Sequence, residues 1–305
     1  MSGFRVYEPS GESSPKGLLL TFVCGVVGAT ILGVIYAYIT AYNPLFYIPI
    51  ILFLIGAYIL NVIAPFAGGV LVGLAAGMGA TMAHVRAPKK VAVVSMLAAF
   101  GFLWTSWMFW FRINGAPNMI WDGVHIVQEL ASVASAKQYV LFDSRMPAGV
   151  AWTVWGLEAA LVFAGAAFGG KLATSDPYCE SCGEWSAAQD DKLRLPIPLD
   201  ATTLRARLEG GQIDALTPST EAGNAYELEF HICPSCDNSV WLTLKELTFS
   251  FDDDGNPEEN LEEVVEHLAI GGEGFKTLMA ILDAPAEPPM PEGAAPDEQG
   301  VYAID

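Results

Sequence analysis

The sequence predicts a multi-span α-helical membrane domain followed by a small α+β soluble domain containing a zinc ribbon. Three observations carry that prediction. Long uncharged apolar stretches fill the first 173 residues, in a chain of which only 16% is charged. Charge then divides sharply. Up to Ala173 there are 9 Lys/Arg against 6 Asp/Glu, a net of +3, and from Thr174 onward 6 against 28, a net of −22. Finally, the acidic half holds two Cys-x-x-Cys pairs, Cys179/Cys182 and Cys233/Cys236.

Residues 1–16 are polar, with Arg5 and Lys16 as their cations, and read as a short disordered arm. The transmembrane domain is expected over residues 17–173. Gly17 to Tyr42 is uncharged and too long for the core of a cleavable signal peptide, so it reads as the first span. Cys24 inside it reads as a small packing residue. From Pro44 to Ala83 no charge occurs, which allows one span at about 45–66 continuing towards 83, or two spans with a hairpin near Pro65. Gly69, Gly73 and Gly77 share one helix face there, where a neighbouring backbone can approach closely. Intramembrane packing explains them; a homo-oligomer seam is the sharper alternative.

His84-Val-Arg86-Ala-Pro-Lys89-Lys90 is the densest basic cluster of this half, and the positive-inside rule makes it cytoplasmic. A span over 91–111 follows, with Trp104, Trp107 and Trp110 as an interfacial belt. Ile120, Val124, Val127 and Leu130 mark a short amphipathic helix on the outer surface. Residues 148–170 return across the membrane and are closed by Lys171. Four spans put the N-terminus, the 84–90 loop and the C-terminal domain all in the cytoplasm; five would move only the N-terminus out.

The soluble domain is expected over 174–283 and a disordered acidic, Pro/Ala-rich tail over 284–305. Zinc takes four thiolates in a tetrahedron, and each two-residue gap lets one tight turn present two sulfurs. Gly183, after the first pair, suits the positive φ such turns need. Around the second pair, Tyr226, Leu228, Phe230 and Ile232, then Val240, Leu242 and Leu244, alternate with polar residues, so Cys233 and Cys236 fall at a β-hairpin turn. The apolar phase shifts at Leu247, as a bulge near Glu246 would cause. Cys179, Cys182, Cys233 and Cys236 are therefore read as ligands of one structural Zn2+; a cytoplasmic setting argues against disulfides. A brief helix is expected at Leu204–Leu208. Another starts at Asn256-Pro257-Glu258-Glu259, with Leu261, Val264, Val265 and Leu268 as its apolar face, and a short one covers Phe275 to Leu282. Asp252-Asp-Asp-Gly-Asn256 has calcium-loop composition without its spacing and reads as a solvated turn.

No phosphate loop, nucleophile elbow or zinc-protease helix motif is present, and His84, His125, His231 and His267 are scattered. Glu158 is the intramembrane ionisable residue, expected to pack inward against Asn61, Thr105, Ser106 or Thr153. So acidic a soluble half repels phosphate backbones, which excludes nucleic acid and favours a basic partner.

Trp152-xx-Trp155-xx-Glu158-Ala, the glycine-rich segment running into Val85-Arg86-Ala-Pro88, and Asp176-Pro-Tyr-Cys179-Glu-Ser-Cys182 together resemble a set of uncharacterised bacterial integral membrane proteins. The resemblance spans about residues 17–190 and implies a bacterial inner-membrane location, with no activity attached. Two function classes follow. One is a non-enzymatic membrane protein whose zinc-ribbon domain binds a cytoplasmic protein. The other is a small transporter or channel subunit using Glu158.

Overall fold

The computed structural model describes residues 3–42, 62–136, 140–141, 144–145, 147–190, 192–219, 224–236, 238–251 and 256–283. It divides into two compact units, Glu8–Ser186 and Met1–Tyr7 with Ala187–Asp305. Four candidate membrane helices make up the first, and a small strand-rich α+β domain makes up most of the second.

In the helical unit, α1 (Pro15–Ala41) starts on a Ser14 cap, whose Oγ accepts the Gly17 N–H at 2.9 Å, with Pro15 pre-set for the first turn. Helix α2 is Ala64–Met82, α3 is Pro88–Ile113, and the shorter α4 is Gly123–Ser135, capped by Asp122. Helix α5 is Ala148–Leu172, with Lys171 in its last turn, where the dipole favours a cation. Strands β2 (Val140–Leu141) and β3 (Ser144–Arg145) pair between α4 and α5. Helices α1, α2, α3 and α5 are the ones long and apolar enough to cross a membrane. Residues 45–61 of the expected second span lie outside the described residues. Pro65 sits in the first turn of α2 instead of at a hairpin, and 67–82 continue that helix.

The packing inside these helices is inverted relative to a water-soluble protein. The face of α1 turned to its neighbours is Gly17, Thr21, Gly25, Ala29 and Gly33, while Val27, Ile31 and Ile35 point away from protein, Ile31 at 57% exposure. Small residues inside and large aliphatics outside is the pattern of helices that meet each other closely and leave bulk to lipid. On α4 the expected stripe divides. Leu130, with Ile126 and Ala134, packs with Phe111 and Trp155, whereas Val124 and Val127 stay exposed. Trp107 and Trp110 of the expected belt join this cluster, with Trp107 edge-to-face on Trp155 at 5.3 Å, while Trp104 stays exposed.

In the second unit an antiparallel sheet runs in the order β1-β10-β9-β8-β6, with β7 also on β8. Strand β1 is Arg5–Val6, β6 Ala187–Ala188, β7 Leu193–Ile197, β8 Asn224–Ile232, β9 Val240–Phe251 and β10 Pro257–Ala269. Helices α6 (Ala201–Glu209) and α7 (Gly271–Asp283) contribute to the core with Leu204, Leu208 and Leu278 against Leu228, Leu242, Leu244 and Leu268.

Three expectations change here. The N-terminal arm is ordered over residues 3–14: Arg5 and Val6 pair with Ala269 and Leu268, and Glu12 is tied to Arg86. The helix expected from Asn256 is strand β10. Register breaks between Glu263 and Val265 and between Val265 and Leu268 bring Val264, Val265 and Leu268 into the core at helix-like spacing, while Leu261 stays exposed. The long β9 supplies a paired ladder that overrides the helix preference of this Glu- and Leu-rich segment. For the same reason the bulge expected near Glu246 belongs to β10; β9 pairs with β8 in unbroken register from Leu247 to Val240. The short helices at 204–208 and 275–282 are present within α6 and α7. The acidic turn at 252–255 and the tail at 284–305 lie outside the described residues.

Candidate metal centre

The first knuckle is a hairpin of β4 (Tyr178–Cys179) and β5 (Glu184–Trp185). Gly183 turns it at φ +74°, and its N–H donates to the Cys179 carbonyl at 2.8 Å. A side chain at that φ would be strained, which explains the glycine. Tyr178 and Trp185 meet edge-to-face at 5.1 Å and brace the hairpin. Cys233, Pro234 and Cys236 form the connection from β8 to β9, closed by the Cys233 N–H on the Ser239 carbonyl at 3.1 Å.

Ser186 ends the first hairpin with its N–H and Oγ both donating to the Pro177 carbonyl, and the next residues, Ala187 and Ala188, pair with Ile232 and His231 immediately before Cys233. The sulfurs of Cys179, Cys182, Cys233 and Cys236 lie within 4.8 Å of one another, and none of the five cysteines is joined in a disulfide. Cys179 and Cys233 are buried and Cys182 and Cys236 half-buried. Four convergent thiols can hold a metal ion, and an all-sulfur tetrahedral set suits zinc or iron.

Around the first knuckle, Arg86 is a hub. Its guanidinium pairs with the carboxylates of Glu12 and Glu180 and lies over the Tyr178 ring, 4.7 Å from the centroid. Its backbone exchanges hydrogen bonds with Gly11 and Glu12, and Lys90 Nζ donates to Ser13 Oγ. The Trp185 indole donates to the Thr81 carbonyl at 3.2 Å. The residues before α1, the loop before α3 and the first knuckle therefore share one end of the helices.

Glu158 lies within α5 and accepts a 2.7 Å hydrogen bond from the Tyr36 hydroxyl on α1. Thr153 donates instead to the Gly149 carbonyl and Ser106 to the Leu103 carbonyl, and Asn61 lies outside the described residues. Tyr36 is a residue the sequence reading missed; no local pattern links it to a position 122 residues away. Gly69, Gly73 and Gly77 sit on the α2 face against α5. A Cβ at Gly69 or Gly73 would collide with the Val162 or Ala166 carbonyl, and one at Gly77 with the Ala173 methyl. Gly165 and Gly169 return the same close approach from α5.

On the sheet face opposite the core, Glu227 is 2% exposed yet bonded to Lys192 at 3.1 Å and Arg194 at 3.2 Å, and Glu229 is bonded to Lys245 at 2.8 Å. Burial alone would raise the Glu227 pKa, but the two cations outweigh it, and the carboxyl lies below its ordinary value of 4.5. The Lys245 hydrogen bond holds Glu229 below that value too.

The fold and site define a class: a polytopic helical membrane protein candidate carrying a four-cysteine domain. Comparison with known protein families, with curated proteins and with solved structures finds no match to this chain.

Proposed function

We propose that the chain is a non-enzymatic bacterial inner-membrane protein that presents an acidic, zinc-stabilised domain to a basic protein in the cytoplasm. The observation that carries the reading is the convergence of four undisulfided cysteines in a domain region whose net charge is −22 from Thr174 onward. Reduced thiols of this kind belong to a reducing compartment, and Arg86, Lys89 and Lys90 support the same cytoplasmic side by the positive-inside rule. A zinc ribbon holds a small domain in shape; the acidic surface then supplies steering and selectivity for positive charge. The resemblance to bacterial integral membrane proteins supports the location.

Crosslinking in native membranes followed by purification of the full chain tests this. A basic cytoplasmic protein recovered with the wild type, and lost both at high salt and in a Cys179→Ser/Cys233→Ser variant, is the expected result. An unchanged set of crosslinked proteins in that variant contradicts it.

The Tyr36–Glu158 hydrogen bond sustains a second reading, a small transporter or channel subunit that uses the intramembrane carboxylate. Under it, Glu158→Gln leaves the fold intact and abolishes the cellular phenotype of the wild type; under the first reading the variant is silent.

A further inference from the structure

The sheet of the strand-rich unit has an edge that its own strands cover only in part. Strand β1 pairs with the far end of β10: Arg5 and Val6 lie opposite Ala269 and Leu268, and the Tyr7 N–H donates to the His267 carbonyl at 2.9 Å. Arg205 covers the Val264 carbonyl at 3.4 Å, beside the register break that follows Glu263. Residues 258–263 pair on their inner side with β9 in unbroken register, from Glu258 opposite Ser250 to Glu263 opposite Lys245. On their outer side no strand lies among the described residues, and all of 258–263 are exposed. Alternate residues of an antiparallel strand send N–H and C=O outward, so this stretch offers backbone donors and acceptors to one more strand.

The side chains along this edge state what that strand must carry. Glu259 is paired with Arg194 at 3.1 Å, and Lys245 with Glu229 at 2.8 Å. Glu246, Glu258, Glu262 and Glu263 have no ion pair among the described residues. Glu246 and Glu262 stand directly opposite each other across β9 and β10, an arrangement that costs stability unless a cation joins them. The other face of the same stretch shows Leu261 at 45% exposure, with Phe249 at 60% beside it on β9. Lysine is the usual guard of an open edge. Glutamates repel a second acidic copy of this chain and leave the edge to basic strands.

We propose that the outer edge of β10 over residues 258–263 takes up an extended basic segment of the partner protein as an added strand. This rests on the reading of the acidic domain as a binder of a basic protein, and it names the place and the mode. Backbone pairing supplies the attachment, and side-chain alternation supplies the selection. Lys or Arg residues on one face of the incoming strand fall beside Glu258 and Glu262, where they relieve the opposed Glu246–Glu262 pair. On its other face an apolar residue seats against Leu261. The segment selected is therefore one in which basic and apolar residues alternate.

The test measures binding of a fluorescent peptide of about eight alternating Lys and Val residues to the full chain in detergent, by anisotropy. Beside it runs the same peptide with every backbone amide N-methylated, which keeps the charge and removes the donors of a strand. Wild type is expected to bind the first peptide at least about tenfold more tightly than the second. Glu258→Gln/Glu262→Gln is expected to weaken the first peptide about tenfold, and Glu273→Gln/Asp283→Gln, an equal charge change on α7, less than about twofold. All four side chains are exposed, so both variants are expected to melt with wild type, and the comparison of peptides on wild type needs no variant. Two peptides bound equally, or equal losses in the two variants, overturn strand addition at β10 and leave only diffuse attraction between the acidic domain and basic chains. A peptide that does not bind wild type overturns it, and so does dimerisation of the chain that blocks the peptide, which would put a second copy on the edge. Failure of the parent reading shows separately: no basic protein is crosslinked in native membranes although the peptide binds the edge.

Discussion

At Glu158 the helices hold a half-buried carboxyl group and answer it with the hydroxyl of Tyr36, whose ring packs 5.3 Å from the Phe102 ring. Removing that hydroxyl leaves the acid short of a partner in an apolar setting. Interhelical hydrogen bonds in membranes average about 0.6 kcal/mol and reach about 1.7 kcal/mol. Tyr36→Phe should therefore lower stability by roughly 0.5–2 kcal/mol, and Glu158→Gln by less, because an amide still accepts from Tyr36. Unfolding of the two variants in detergent checks the order. Glu227 and Glu229 make a prediction about pH. Both carboxyls sit below 4.5 in the folded chain, so their stabilisation is present above that value and is lost as pH falls through the folded-state pKa values. The melting temperature of the full chain should drop as pH is lowered past 4.5, and Glu227→Gln should flatten that drop. An equal slope in the variant would show that these ion pairs do not set the acid limit.

Among the elements, the α2–α5 seam carries the clearest consequence. Gly69 and Gly73 face backbone atoms that cannot swing aside, so Gly69→Val or Gly73→Val should overpack the seam and cost about 1–3 kcal/mol or more. Gly156→Ala, whose Cβ would meet open space, should be neutral or slightly stabilising in the same unfolding assay. The seam glycines were legible from their four-residue spacing. So were the cysteine knuckles, the hairpin between β8 and β9 and the long apolar helices, because each is written in local spacing. Strand β10 was not. Its bulges mimic helical periodicity, and its partner β9 is a separate segment whose register no local pattern reveals. Tyr36 with Glu158 was hidden for the same reason: it is a meeting of distant segments fixed by tertiary packing. In β10 itself, Leu268 is fully buried in the core, and Leu268→Ala should cost about 2–5 kcal/mol, read by urea unfolding.

For the whole molecule, topology and metal are linked through the first knuckle. Glu12 and Arg86 pair, so in a bilayer the N-terminal arm and the 84–90 loop would share one side, and the contacts of Glu180, Tyr178 and Trp185 place the first knuckle at that same end of the helices. This agrees with the parity of four spans. Single cysteines introduced at Glu8, Lys89 and Ser175 should thus all resist impermeant labelling from outside intact cells, and labelling of any one alone would break the shared-side arrangement. The claim on which the rest depends is that Cys179, Cys182, Cys233 and Cys236 hold a structural zinc. Elemental measurement on the full chain purified in detergent, wild type beside Cys179→Ser/Cys233→Ser, tests it most directly. The account predicts that wild type carries one more zinc per chain than the variant; equal zinc in the two, or none in either, would contradict it.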